Sequence, residues 1–167
     1  MATTAAPATR QTAGADAISP VRVLDEGYGP GAWHGADLKA ALSDVPESLA
    51  FWRPGAGRHN IAEIALHHAY YVSSVTGRLL GVDAKPFVLE GSDWFEAPTD
   101  RISWPGIVSY VAESQRELSE TVGNIEAGRS RSPLSPQEQF TQVLGITCHA
   151  IYHAGQIQLI KVLGASR

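Results

Sequence analysis

A chain of 167 residues has the length of one domain and can bury a single substantial core. Hydrophobic residues make up 44% and charged residues 18%, an ordinary globular balance, and no run of about 18 apolar residues is present to span a membrane. A formal charge of −4 and a pI near 5.8 argue against a basic surface for nucleic acid or anionic lipid, so neither is expected as a partner. The single cysteine, Cys148, rules out an intramolecular disulfide and fits a reducing cytoplasm.

Residues 1–17 are rich in Ala and Thr, carry one Arg and no aromatic, and lack the apolar stretch of a secretory signal. They are expected to form a disordered tail, with a single helical domain over residues 18–167. Ser19-Pro20 reads as a cap followed by proline at the first helical position, opening a short helix that Gly27 should end. Residues 27–35 form a glycine-punctuated loop carrying Trp33 and His34, without phosphate-loop spacing. A helix over Ala36–Leu42 and one turn between Pro46 and Trp52 follow, stopped by Pro54-Gly55.

Asn60 and Glu63 make a capping-box start for a long helix that runs to Leu80, with Gly81 as its stop. Ile61, Ile64, His68, Tyr71, Val72, Val75 and Leu79 follow the helical period and form its expected buried stripe; His67 lies beside it. Val82 to Arg101 is a long connection containing Asp93-Trp94-Phe95, of a length often functional or pinned by aromatic residues. Ser103-Trp104-Pro105 opens a third long helix. Ser135-Pro136 opens a fourth, which should reach about Leu163 before Gly164. No convincing period-two segment, internal repeat or low-complexity core appears, so the class is an all-α bundle.

Four of the six histidines fall inside predicted helices: His67, His68, His149 and His153. His149 and His153 are four residues apart and share one helix face, with Cβ atoms roughly 6 Å apart. In an up-down bundle a facing helix can bring His67 or His68 to the same depth. Three neutral imidazoles would then leave a position for water or substrate, as catalytic rather than closed structural sites do. A single helical histidine is more often a hydrogen-bonded core side chain, so the pair alone proves little.

The segments GAWHGADLKAAL (residues 31–42), RHNIAEIALHH (58–68) and GITCHAIYHAGQIQLI (145–160) resemble, in order and spacing, those of the DinB-like superfamily. The resemblance spans roughly Val21 to Leu163. It implies a four-helix bundle with long connections, often dimeric, and a three-histidine divalent site. Its pattern places His67, His149 and His153 as ligands and His68 as a group behind them or a core histidine. Zinc or nickel is the implied metal, with a low-molecular-weight thiol as a further implied cofactor.

Around these residues, Tyr71, Tyr152 and Gln156 are close by helical spacing. The tyrosines could bring a phenol to the ion or pack in the core, and Gln156 could orient His153. Trp33 and His34 could line a pocket or pack the loop over one end of the bundle. His59 and Glu63 are adequately explained at the helix entrance, and Cys148 points about 100° away from His149. The expected function is a metal-dependent enzyme of the thiol-transferase or hydrolase kind, acting on a small molecule in the cytoplasm as a homodimer. The competing expectation is a non-catalytic metal- or small-molecule-binding stress-response bundle.

Overall fold

A computed structural model describes residues 19–29, 31–91, 93–96 and 101–165. The tail expected over residues 1–17 lies outside the described residues. Among the described residues there are six helices and no strand: α1 (Pro20–Tyr28), α2 (Leu38–Leu42), α3 (Glu47–Ala50), α4 (Ile61–Leu80), α5 (Trp104–Glu126) and α6 (Pro136–Ala165). None is long and apolar enough to cross a membrane.

The helix starts follow from local chemistry. At α4 both halves of the capping box form: Asn60 Oδ1 accepts from the Glu63 N–H at 2.8 Å, and the Glu63 carboxylate accepts from the Asn60 N–H at 3.4 Å. The same carboxylate takes the Arg53 guanidinium and His59 Nδ1, so a buried charge is fully paired. Gly81 ends the helix at φ 70°, the left-handed cap that glycine adopts without strain. Ser103 caps α5 through the Gly106 N–H, and Ser135 with Glu138 opens α6.

Three boundaries differ from the sequence reading. α2 begins two residues late because Asp37 accepts from the Ala40 N–H at 2.9 Å and becomes the cap. α6 continues through Gly164 to Ala165. α1 runs through Gly27 to Tyr28, so Gly27 is a packing residue rather than a stop. A Cβ there would stand 3.0 Å from the Ala150 Cβ and 3.1 Å from the Thr147 carbonyl oxygen, so α1 can approach α6 this closely only without a side chain.

The apolar core falls into two groups stacked along the bundle. One joins Ile61, Ile64 and Leu66 of α4 with Ile107 and Val111 of α5 and Ala150, Ala154 and Ile157 of α6. The other joins Val72, Val75 and Leu79 with Leu118 and Val122, Val143 and Ile146, and Leu24 of α1. With rising residue number α4 and α5 both pass from the first group to the second, so they run parallel. α6 passes the opposite way. The long connection after α4 therefore carries the chain back along roughly 30 Å of helix before α5 begins. α1, α4, α5 and α6 form the four-helix bundle, with α4 packed on both α5 and α6, and α1 closing the ring against α6 and α5.

Because α6 is positioned by its contact with α1, Gly27→Val should force those two helices apart. The expected cost is about 1–3 kcal/mol. It would be read as a lower urea midpoint with an unchanged slope.

Candidate metal centre

The seam between α4 and α6 brings His67, His149 and His153 together. One ligand-capable atom from each lies within 4.8 Å of the others. The inner atoms are the Nε2 nitrogens: His149 Nε2 stands 3.2 Å from His67 Nε2 and 3.1 Å from His153 Nε2. Two nitrogens each about 2.0–2.1 Å from a tetrahedral ion would stand about 3.3–3.4 Å apart, so the spacing fits a shared ion. His67 and His153 are buried and His149 is half-buried.

Each ring is held from behind through its other nitrogen. His67 Nδ1 donates to the Asp93 carbonyl at 2.9 Å. A carbonyl only accepts, so the proton is on Nδ1 and the Nε2 lone pair faces inward. The Asp93 Oδ1 lies 3.3 Å from the same nitrogen without making a hydrogen bond to it. His153 Nδ1 donates to Gln156 Oε1 at 2.7 Å. His149 Nδ1 meets His68 Nδ1 at 3.2 Å. An inward lone pair on His149 requires its Nδ1 to donate, which makes His68 Nδ1 the acceptor and places the His68 proton on Nε2. That Nε2 has no partner at full hydrogen-bond distance, and neither has the buried Gln115 Oε1 of α5, the side chain whose interaction with His68 favours its charged form. The donor on His68 and the acceptor on Gln115 match.

Electrostatics keep His149, His153 and His68 neutral. Burial, reinforced by His153 and His67, holds His149 to about 4. Burial also brings His153 to about 4, with Gln156 opposing and His67 assisting. His68 is wholly buried and held well below the ordinary histidine value by the same desolvation, with His149 and His153 adding to it. Neutral imidazoles with inward lone pairs are what a metal requires of histidine ligands.

Other residues from the sequence reading take definite places. Tyr71 packs its ring against both His67 and His149, centroids 5.0 Å apart in each case. Its hydrogen bond with the Asp93 carboxylate, followed by desolvation, raises its pKa. Tyr152 is 64% exposed rather than in the core, and its hydroxyl accepts from Gln156 Nε2 at 3.1 Å. Gln156 thus bridges His153 to the surface. Cys148 is exposed.

Two expectations are corrected. Trp33 is 92% exposed, and its backbone N–H donates to Glu26. His34 Nε2 meets the Glu26 carbonyl at 2.7 Å. Both belong to the loop after α1 and line none of the cavities beside the histidines. They sit where a short polar contact satisfies them, and packing does not draw them inward.

Sequence reasoning missed Asp93, Trp94 and Gln115 as residues of the site. The Trp94 indole lies between two imidazoles, 3.8 Å from the His67 centroid at 7° and 3.6 Å from that of His59 at 8°. The available signal was the aromatic cluster Asp93-Trp94-Phe95 in an otherwise long connection. Nothing in the sequence marked Gln115.

A cavity of about 590 Å³ abuts the cluster through Trp94 and Gln156, and a smaller cleft of about 210 Å³ reaches His149 beside Tyr71 and Arg78. No curated protein and no solved structure matches the chain. Residues 32–157, which include all three clustered histidines, match the model of the DinB superfamily. The chain belongs to the DinB superfamily.

Proposed function

We propose that the protein is a divalent-metal enzyme whose ion is held by His67, His149 and His153 through their Nε2 atoms. The observation that carries this reading is the convergence of three Nε2 atoms while each Nδ1 is tied outward, to Asp93, His68 and Gln156 respectively. Bound there, zinc or nickel supplies Lewis acidity, lowering the pKa of a coordinating water or thiol. The proposed reaction is transfer of a small thiol, or hydrolysis, on a small-molecule substrate.

The protein's own groups do the positioning. Asp93 and His68 fix the tautomers of rings on opposite helices, so that neither Nε2 needs to shed a proton at neutral pH. Trp94 covers one face of His67 and excludes water from it. Tyr71 and Tyr152 place phenol groups on two sides of the cluster. Among the described residues, the nearby Glu63 carboxylate is paired with Arg53 and His59, and that of Asp93 is hydrogen-bonded to Tyr71 while its Oδ1 has no hydrogen-bond partner. That engagement favours the second reading, a bundle that binds metal or a small molecule without catalysis.

Elemental analysis of natively purified protein should give one divalent ion per chain, and His149→Ala should lose it with helical circular dichroism retained. Normal metal content in that variant would remove the site. His68→Leu leaves His149 Nδ1–H without its acceptor. Metal affinity should fall about 10–100-fold, and His68→Gln should recover part of it.

The metal-free protein should also show a defined pH response. In the unfolded chain His149 and His153 take up protons near the ordinary value of about 6.5, whereas the folded rings do so only at about 4. The unfolded state therefore holds more protons between these values. Stability is greatest above about 6.5, falls as pH drops through the window, and levels off below 4. Thermal melts from pH 7 to 4 should show a steeper decline than in the double variant His149→Ala/His153→Ala. Equal slopes would contradict this assignment.

A further inference from the structure

The large cavity beside the histidines has an uneven chemistry. Ile64, Leu159, Ile160 and Leu163 supply apolar wall, and Trp94 and Gln156 form the end nearest the cluster. Leu159 and Leu163 are exposed on α6 although both are large and apolar. Among the described residues no carboxylate lines the cavity, and Arg58 is the one permanently charged residue of its lining.

The neighbouring charges are settled around Arg58 and leave it out. Glu63 is buried and takes both Arg53 and His59. The Arg58 carbonyl accepts from Arg53, but among the described residues no carboxylate lies within ion-pairing distance of the Arg58 guanidinium. Among the described residues, a planar cation with five donors thus borders an apolar cavity without a carboxylate partner.

We propose that this cavity binds a small organic acid with an apolar body, its carboxylate received by Arg58 and its apolar part lying along Leu159, Ile160 and Leu163 toward Trp94. The inference rests on the reading of the histidine cluster as a reaction centre, because it assigns the substrate class of that centre. A volume of about 590 Å³ is within the usual range for small-molecule sites, roughly 300–1,000 Å³, whereas the 210 Å³ cleft at Arg78 falls below it. One guanidinium in a mostly apolar wall suits a monoanionic carboxylate better than a phosphate dianion, which calls for more donors.

Calorimetric titration of the zinc-loaded full-length chain with 4-phenylbutyrate and with 4-phenylbutan-1-ol tests the proposal. The acid should bind about tenfold or more tightly than the alcohol, as expected for a charge-assisted pair. Arg58→Ala should erase that preference with zinc stoichiometry unchanged, and Arg58→Lys should keep part of it. The metal-free protein should retain the preference, since Arg58 rather than the ion receives the carboxylate. Absence of zinc would thus count against the metal reading, while the response to Arg58→Ala is still measured separately. Equal binding of acid and alcohol, or binding of neither, overturns the proposal. So does a preference that survives Arg58→Ala and disappears with Arg78→Ala or with metal removal.

Discussion

The constraint on which the site depends is the placement of three imidazoles in one seam with their Nε2 atoms facing one another. Unpaired, lone pairs at 3.1–3.2 Å repel, and burial makes protonation of His149 and His153 unfavourable. The fold sustains the arrangement by holding each ring from its far side. Asp93 comes from the connection after α4, Gln156 from the next turn of α6, and His68 from the buried face of α4. Three different elements therefore fix three orientations.

The parallel course of α4 and α5 explains how a loop residue takes part. Antiparallel neighbours need only a short turn, but parallel neighbours require the chain to travel back along the helix just completed. On that return path Asp93 meets His67 and Trp94 slides between His67 and His59. Phe95 is buried in the core nearby, against Phe87 and Tyr70, and anchors the segment. What begins as a topological necessity thereby becomes one wall of the site.

Much of this was legible because it is local. The Asn60–Glu63 box, the Gly81 stop and the Ser103 and Ser135 starts are short-range chemistry, and the structure shows each one. The i,i+4 spacing of His149 and His153 is likewise local, and it does bring both rings into the cluster. Choosing between His67 and His68 was a different problem. Periodicity placed His68 on the buried stripe, and it is indeed the more buried ring, yet the less deeply set His67 faces the cluster. Depth of burial and direction toward a neighbouring helix are separate quantities, and the hydrophobic pattern reports only the first. Gln115 and Arg58 were not legible at all, since their roles depend on which groups other parts of the chain have already paired.

The same distinction explains why Gly27 was misread. A glycine after a short amphipathic run resembles a helix stop, and only the position of Thr147 and Ala150, far away in sequence, shows that its missing side chain admits α6. That contact has a consequence for the histidines. Ala150 lies between His149 and His153 in sequence and faces α1, so the same turn of α6 is fixed against α1 on one side while presenting its imidazoles to α4 on the other. A shift of α6 at Gly27 would carry both histidines with it and disturb their spacing to His67. The small residues of α1 and α6 thus belong to the geometry of the site although they touch none of its nitrogens.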